Sequence, residues 1–340
     1  MIESVHFENF KVLRNTTLPL SRLTLIVGPN GSGKSTAIQG LLLIANRQNA
    51  QFEGLWPVGE PARPDGRVGI TAQFDEADES ARLVWSLGRD GLRRDIVRSE
   101  RSRTDPKGWG QIVGTLDERL ARARAYMFQA RLIHEPKPLE PKAELAENGR
   151  NLAVVLDRIR DEAPERFEAL NAELGRWLPE FDRVLFETPQ TGHRSFALRT
   201  RREQRAIKAG NLSDGTLLAL AILCLAYIND PPPLVCFEEP DHGLHPRLMR
   251  DVRDAMYRLA YPEKCGESRP PVQVVATTHS PVLLDLFRDY PEEVVVASKS
   301  GTEATFQRLS DLPNFEEILA DSSLGDAWYS GVLGGVPTEP

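Results

Sequence analysis

A glycine-rich turn near the N-terminus restricts the possible folds of this sequence more than any other feature. Residues 28–36, GPNGSGKST, follow an apolar run, LTLIV at 23–27, and precede the apolar segment AIQGLLLIANRQ. A strand, a Gly-x-x-x-x-Gly-Lys-Ser loop and a helix, in that order, form a phosphate-binding loop whose backbone N–H groups face the phosphates. A chance Gly/Ser turn is the weaker interpretation, because both flanking elements have the required type. The motif predicts a nucleotide site in which Lys34 reaches the β- and γ-phosphates and the Ser35 hydroxyl ligates Mg²⁺.

The C-terminal part alternates apolar strands with helices. The predicted elements are a helix (214–229), strand LVCF (234–237), a helix (246–259), strand VQVVA (272–276), a helix (281–287) and strand EVVVA (293–297). Continuously apolar strands are typical of a parallel sheet that is covered on both faces.

The middle of the chain mixes short β-type runs, such as GQIVG at 110–114, with amphipathic helical stretches at 115–133 and 150–178. We therefore predict one domain over 1–340. Its nucleotide-binding core comprises 1–74 and 212–340, and 75–211 is an inserted α+β region.

Two neighbouring carboxylates, Glu238 and Glu239, follow the apolar strand at 234–237. Ligands of open α/β sheets bind at the carboxyl ends of the strands, so Glu238 is expected near the Mg²⁺ and Glu239 is expected to activate the attacking water. Adjacent residues of a strand point to opposite sides, which gives the two acids different roles. A solvated acidic strand end is the alternative.

His279 ends the next apolar strand, in VVATTHSP. A histidine at this place can hydrogen-bond a γ-phosphate and help to position the water. The alternative is a loop histidine before a helix that Ser280 caps and Pro281 begins, and the two descriptions are compatible.

The turn NLSDGT at 211–216 precedes a long apolar helix. Ser213 is an N-cap residue type, and the helix end behind it offers a second anion site by the same dipole argument. From these residues alone an ordinary helix cap is the simpler interpretation.

The order of the motifs, with the phosphate loop first, then LSDGT, EEP and TTHS, resembles the ATP-binding-cassette (ABC) ATPases of the SMC, RecF and overcoming-lysogenization-defect (OLD) type. EEPDHGLHP, LSDGT and the C-terminal GDAWYSGVLGGVP are most similar to the OLD-like branch, called AAA_21 or predicted-ATPase proteins. The resemblance covers 1–50 and 212–336 well and the middle loosely. It implies a P-loop NTPase of the α/β class, an ABC-ATPase head with a mainly parallel central sheet, an N-terminal antiparallel β part and an α+β insertion.

In that family two heads close on two ATP molecules, and each phosphate loop faces the signature turn of the other head. The resemblance therefore implies ATP and Mg²⁺ as cofactors and a homodimer formed through ATP. It makes Glu239, His279 and Lys34 catalytic residues and assigns the metal to Ser35 and Glu238. The implied nucleotide-binding residues are Asn30, Gly31, Ser32, Gly33, Lys34, Ser35, Thr36, Ser213 and Gly215.

Two positions depart from the family pattern, and the Q-loop glutamine of the family has no assigned position in this sequence. The usual signature LSGGQ is LSDGT here, so Asp214 adds a negative charge near a polyphosphate. The first acid after the strand is usually Asp, and Glu238 is one methylene longer. For the Q-loop glutamine of the family, Gln73 and Gln129 are both candidates, although a structural role is the simpler interpretation of each.

Charge and composition limit the partners. The net charge of the 340 residues is −7, so no overall positive field favours nucleic acid. Basic runs at 82–107 and 194–208 could bind DNA or RNA phosphates, the second through Arg199, Arg201 and Arg202, although solvated or ion-paired arginines are the commoner meaning. The cysteines lack metal-site spacing and no apolar stretch would span a bilayer, which favours a cytoplasmic protein without membrane insertion.

We therefore expect an ATPase that converts ATP and water to ADP and phosphate and gates an effector protein, such as a nuclease or toxin, or a DNA contact, in DNA repair or phage defence. No heptad run indicates an SMC coiled-coil arm, and no nuclease domain of its own is expected. The alternatives are an ATP-gated nucleic-acid clamp with negligible turnover, the motor subunit of an ABC transporter, and a small-molecule P-loop kinase, which would not need the signature turn.

Overall fold

The computed structural model describes residues 1–45, 54–57, 66–76, 79–88, 90–98, 106–313, 315, 317–318 and 322–333. The predicted helix residues at 46–48, the basic residues at 99–105 and the end of the GDAWYSGVLGGVP segment lie outside this range. The chain divides into two compact units. The first unit comprises 1–125, 232–238 and 270–340, and the second unit comprises 126–231 and 239–269.

In chain order the strands are β1 (Ile2–Phe10), β2 (Leu13–Pro19), β3 (Leu23–Val27), β4 (Arg67–Glu76), β5 (Glu79–Gly88), β6 (Gly91–Arg98), β7 (Arg124–Tyr126), β8 (Lys137–Pro138), β9 (Phe181–Glu187), β10 (His193–Thr200), β11 (Ala206–Lys208), β12 (Leu234–Glu238), β13 (Gln273–Thr278), β14 (Val294–Ser300) and β15 (Glu303–Arg308). The α-helices are α1 (Lys34–Ala45), α2 (Pro106–Ala121), α3 (Ala130–Ile133), α4 (Leu152–Glu162), α5 (Pro164–Trp177), α6 (Asp214–Tyr227), α7 (Met249–Ala260), α8 (Pro281–Asp285) and a short helix at Leu324–Tyr329.

The first unit contains a six-stranded sheet with the order β15-β14-β3-β13-β12-β7. β3 lies between β13 and β14 and is parallel to both, and β12 is parallel to β13. β15 is antiparallel to β14. β3 and β13 are wholly buried, and β12 and β14 each begin with four buried residues, as expected for a covered sheet. The mainly parallel central sheet is therefore confirmed.

The first unit also contains a five-stranded antiparallel sheet with the order β2-β1-β4-β5-β6. Side chains from this sheet, from α1 and α2 and from the parallel sheet share one apolar core, which includes Phe7, Trp85, Leu41 and Val275. α1 packs closely because Gly40 has no side chain: a Cβ there would lie 2.5 Å from the Phe7 ring. The expected N-terminal antiparallel part is therefore present.

The second unit surrounds an apolar helix. α6 is buried on all sides and contacts α3, α4, α5 and α7, which is the environment that an apolar helix without a polar face requires. Beside these helices, β10 pairs antiparallel with β8, β9 and β11.

The bounds of the two units differ from the expected insertion at 75–211. β4 pairs with β1 and continues into β5 and β6, so these strands belong with the N-terminal residues. α6 packs on α4 and α5 and therefore belongs with the middle of the chain.

Three local predictions were wrong. GQIVG at 110–114 is not a strand but part of α2, because Trp109, Ile112, Leu116 and Leu120 form one apolar helical face that packs on the core. The predicted helix at 115–133 is interrupted by β7. The helix predicted at 150–178 breaks at Ala163, where Pro164 begins a new helix.

Candidate nucleotide-binding site

The loop between β3 and α1 needs its glycines for space and for backbone shape. Gly31 has φ 76° and Gly33 has φ 92°, a left-handed conformation that side chains disfavour. A Cβ on Gly28 would lie 2.5 Å from the carbonyl oxygen of Ala297, and one on Gly33 would lie 2.8 Å from Leu13 Cδ2. The motif therefore adopts a closely packed loop, as the sequence predicts.

Lys34, the first residue of α1, turns its ammonium group back over this loop. Its side chain is buried, and Nζ donates hydrogen bonds to the carbonyl oxygens of Gly28 (2.7 Å) and Pro29 (3.0 Å). The buried Ser32 hydroxyl has no hydrogen-bond partner within the described residues. Since the loop has an ammonium group and an unsatisfied hydroxyl to offer, it suits an anionic ligand with several acceptor oxygens.

The other predicted loop residues are accessible. Asn30, Gly31 and Ser35 are exposed, and Thr36 is half-buried in the first turn of α1. The N-terminus of this helix supplies backbone N–H groups without intrahelical partners, which favours phosphate.

The ends of three neighbouring strands meet beside this loop. In the parallel ladders Thr278 lies opposite Val27, and Glu238 lies opposite Thr277. The carboxyl ends of β3, β13 and β12 therefore lie at one edge of the sheet. The phosphate loop, His279 and Glu238 follow or end these strands, so the first unit brings the three features together.

Glu239 lies outside the strand that precedes it. β12 ends at Glu238, and Glu239 has φ 48°, a left-handed conformation that is uncommon for a residue with a side chain. Its carbonyl oxygen accepts a hydrogen bond of 2.9 Å from the N–H of His242, which closes a turn. Glu239 is therefore a turn residue and not a second strand residue, so the argument from strand alternation does not apply to it. Strained residues of this kind concentrate at functional sites.

His279 precedes a capped helix, as predicted. Ser280 Oγ accepts a hydrogen bond of 3.2 Å from the N–H of Leu283, and Pro281 begins α8. Thr278 Oγ1 accepts one of 2.9 Å from the N–H of Ser280. The cap fixes the backbone on the C-terminal side of the histidine.

In the second unit, Ser213 caps α6. Its Oγ accepts a hydrogen bond of 3.2 Å from the N–H of Thr216. Ser213 and Asp214 are exposed, and a Cβ on Gly215 would lie 3.2 Å from the carbonyl oxygen of Gly243. The signature turn thus packs on the loop that follows Glu239. The predicted cap is confirmed, and the contact of Ser213 and Gly215 with a nucleotide stays a prediction.

The topology separates the two glutamine candidates. Gln73 lies within β4 of the antiparallel sheet, opposite Ser4 and Arg82. Gln129 follows β7, which is the strand beside β12, and its Oε1 accepts a hydrogen bond of 3.3 Å from Arg131.

Most arginines of the basic run at 194–208 bind groups within the second unit. Arg199 forms two hydrogen bonds to Asp182, at 2.8 and 3.1 Å, and thereby lowers the pKa of that carboxyl group. Arg201 donates to the carbonyl oxygens of Pro179 and Gly175. Arg202 is exposed and has no hydrogen bond or ion pair within the described residues.

The run at 82–107 is also engaged where the structure describes it. Arg94 pairs with Asp117 at 2.7 Å, and the Arg98 guanidinium lies 5.1 Å from the centre of the Trp109 ring. Arg93 pairs with Asp90 at 3.1 Å. These contacts favour the interpretation of the runs as ion-paired faces.

One wall of the site, the hairpin of β14 and β15, was not predicted from the sequence. Ala297, Lys299 and Ala304 lie next to Gly28, Gly31 and Gly33, respectively. In the sequence the only trace of this wall is the small size of the two alanines.

Comparison with known proteins places these features in a family. Residues 23–285 match the AAA_21 model, described as "AAA domain, putative AbiEii toxin, Type IV TA system". The chain is 23% identical over 327 residues to the OLD nuclease of Thermus scotoductus, which covers 85% of this chain and 60% of that protein. It is also 41% identical over 51 residues to the chromosome partition protein Smc of Methanococcus voltae, or 15% of this chain and 4% of that protein. The chain thus spans less than two thirds of the length of either relative.

Solved structures show the same fold. An SMC head bound to the C-winged helix domain of ScpA aligns with a TM-score of 0.59 at 16% identity and covers 90% of this chain and 96% of that one. The SMC head domain from Thermotoga maritima aligns with a TM-score of 0.52 at 17% identity and covers 90% and 98%. Among the helices that the structure describes, not one combines the length and apolar character needed to cross a bilayer. Since the family model matches most of the chain and the fold is that of an SMC head, this protein belongs to the AAA_21 family of ABC-type, SMC- and OLD-like ATPases.

Proposed function

We propose that the chain is a cytoplasmic ATP-binding and ATP-hydrolysing head that closes with a second copy around two ATP molecules. The main support is the sheet edge at which the phosphate loop, Glu238 and His279 come together. Ligands of open α/β sheets bind at such edges, and this edge combines a cationic loop with acidic and imidazole side chains.

The proposed reaction is in-line attack of water on the γ-phosphate of ATP, which yields ADP and phosphate. Glu239 holds the water and accepts its proton, and Lys34 neutralises charge on the β- and γ-phosphate oxygens. His279 hydrogen-bonds the γ-phosphate. Fixed groups of this kind lower the barrier because they need no reorganisation when charge develops.

The donor groups fit Mg²⁺. This ion keeps several waters and takes few protein ligands when it is shared with substrate phosphates. Within the described residues no group of three or more His, Cys, Asp or Glu could hold a metal by itself. Ser35 and Glu238 are oxygen donors of the right kind, and Mg²⁺ bound with ATP would neutralise phosphate charge.

We infer that Gln129, rather than Gln73, is the Q-loop glutamine. Gln129 lies in the segment between β7 and α3, whereas Gln73 is part of a strand that is paired on both sides. Gln129→Ala is expected to reduce ATP turnover with little loss of nucleotide affinity, and Gln73→Ala is its control.

We also propose that Ser213 and Gly215 contact the γ-phosphate bound to the second copy. The exposed cap of α6 is an anion site by the helix-end argument, and the chain has one phosphate loop. Asp214 is exposed in the same turn, so its charge opposes closure on a polyphosphate and tunes it.

The test uses Glu239→Gln, which should bind ATP without hydrolysing it. In Mg-ATP this variant is expected to form a dimer at micromolar concentration, measured by light scattering, and Glu239→Gln with Ser213→Arg is expected to stay monomeric. A monomeric Glu239→Gln variant with ATP bound would exclude the role of Ser213 across the dimer. If the protein is dimeric without ATP, the test compares the ATP turnover of Ser213→Arg with that of the wild type, and this variant should have none.

Closure is proposed to gate an effector protein, such as a nuclease or toxin, or a DNA contact, in DNA repair or phage defence. The support is the similarity to an OLD nuclease and to SMC heads, one of which is bound to ScpA.

Steady-state ATP turnover with and without duplex DNA, over a salt series, tests the DNA contact. Arg202→Ala is the suitable charge variant, because Arg199 and Arg201 have structural partners. DNA binding that needs ATP and persists in Glu239→Gln would instead favour a clamp.

A further inference from the structure

The hairpin of β14 and β15 is fixed against the phosphate loop. The Ala297 carbonyl oxygen lies 2.5 Å from the place of a Cβ on Gly28, and Ala304 Cβ lies 3.2 Å from that of Gly33. The N–H of Ala304 donates a hydrogen bond of 2.9 Å to the carbonyl oxygen of Val12. Because β14 is also paired with β3, the strand before the loop, the position of the hairpin is set from both sides.

Lys299 lies near the end of β14, next to the exposed part of the loop. Its Nζ is 3.9 Å from the place of a Cβ on Gly31. Within the described residues the ammonium group has no hydrogen bond or ion pair, and the side chain is exposed. Apart from Gly31 and its chain neighbours, no other heavy atom of the described residues lies within 4 Å of that place.

We propose that Lys299 is a nucleotide-binding residue that contacts the phosphate groups of ATP from the hairpin side, in addition to Lys34. The inference rests on the proposed ATP site. The N–H groups of a phosphate loop face the phosphates, so a group beside Gly31 is close to the β- and γ-phosphates. A lysine on a flexible stem reaches them by rotation about its own bonds.

The charges support this role. Lys34 already lies within the loop, on the carbonyl oxygens of Gly28 and Pro29. Glu238 is an acidic residue at the same sheet edge, so a second ammonium group beside the loop adds to the attraction for a triphosphate. An additional ammonium group near the phosphates lowers Kd by Coulomb attraction, more for ATP than for a ligand with fewer charges.

Binding of a non-hydrolysable ATP analogue, ADP and AMP to the full chain tests the proposal, measured by titration calorimetry. Lys299→Met is expected to raise Kd for the ATP analogue about tenfold, with smaller increases for ADP and AMP and a weaker dependence on salt. Lys299→Arg is expected to stay close to the wild type. Lys142→Met, at an exposed lysine of the second unit, is the matched control and should not change Kd.

Two results would overturn the role of Lys299: a Kd for Lys299→Met within twofold of the wild type, or an equal increase for all three nucleotides. The second would mean that Lys299 acts on the base, the ribose or the loop fold. The unfolding temperature without nucleotide shows whether the variant folds normally. If the wild type itself does not bind the ATP analogue, or Lys34→Ala binds it equally well, the proposed ATP site fails and not the assignment of Lys299 alone.

Discussion

At the scale of single residues, the phosphate loop depends on the absence of side chains. Gly28 lacks space for a Cβ, and Gly31 adds a backbone conformation that other residues disfavour. These two causes have different consequences, because a steric collision moves the neighbouring hairpin whereas an unfavourable φ alters the loop itself.

Gly28→Ala tests the collision. The methyl group would lie 2.5 Å from the Ala297 carbonyl oxygen, so β14 or the loop must shift. We expect a loss of about 2 kcal/mol in the free energy of unfolding and weaker ATP binding, measured by urea titration and calorimetry. Gly210→Ala, where no atom lies within 4 Å of the added methyl group, is the control and should change little. Equal behaviour of the two variants would show that the loop adapts without cost.

Burial also decides which cysteine reacts. Desolvation raises the pKa of Cys236 to about 12 and raises that of Cys224 further, while Cys265 is exposed. Because the thiolate is the reactive form, raising the pH towards 9 does not ionise the two buried thiols in the folded protein. A thiol-reactive dye should modify one cysteine in the native state and three in denaturant. Modification of a second thiol in the native state would indicate local opening of its element.

At the scale of elements, the sequence predicts the strands of the parallel sheet better than it predicts the elements in the middle of the chain. LTLIV and LVCF are confirmed as β3 and β12, because a short apolar run between turn residues has few alternatives. The prediction of a strand at GQIVG was wrong because its apolar residues belong to a longer helical pattern that includes Leu116 and Leu120. A segment longer than five residues is needed to distinguish the helical period of apolar residues from the strand period.

The motifs of the site are formed by residues close together in the sequence, so they can be predicted from it. The hairpin of β14 and β15, which forms one wall of the site, cannot. Lys34, Ser35 and Glu238 lie within or beside short recognisable patterns. Lys299 and Ala297 reach the loop only because β14 pairs with β3, a contact between distant parts of the chain. No local pattern indicates such a pairing.

Helix ends in the second unit are held by a cluster of arginines around Glu267. Arg166 and Arg269 (2.7 Å) bind its Oε2, and Arg258 (2.5 Å) binds its Oε1. Arg166 also donates to the carbonyl oxygen of Ile228 after α6, and Arg269 donates to that of Leu259 in α7. Glu267 thus orients cations at two helix C-termini, where positive charge is favourable.

Glu267→Ala is expected to destabilise the protein by about 3 kcal/mol or more, since three cations would lose their shared carboxylate in a largely buried place. Glu203→Ala removes an exposed pair with Arg205 and should cost about 0.5 kcal/mol or less. Urea unfolding followed by circular dichroism measures both. A loss below about 1 kcal/mol for Glu267→Ala would mean that the arginines have other partners of equal strength.

At the scale of the whole molecule, ligand binding and stability are linked. A ligand that binds only the folded state stabilises it by about 2.7 kcal/mol at a concentration one hundred times Kd. We therefore expect Mg-ATP to raise the unfolding temperature of the wild type and not that of Lys34→Ala, measured by scanning calorimetry. With Glu239→Gln the rise should also grow with protein concentration, because a dimer dissociates on unfolding. A rise that is independent of protein concentration would point to binding without closure.

The position of β3 in its sheet has a consequence for biosynthesis. Both strands that flank it, β13 and β14, begin only at Gln273 and Val294, while the phosphate loop is complete by Ser35. Pairings over such long separations form slowly, and an unpaired apolar strand is prone to aggregate. On the ribosome LTLIV therefore waits for most of the protein to be translated before its partners emerge. A chaperone that binds apolar strands would meet this nascent chain early and release it late.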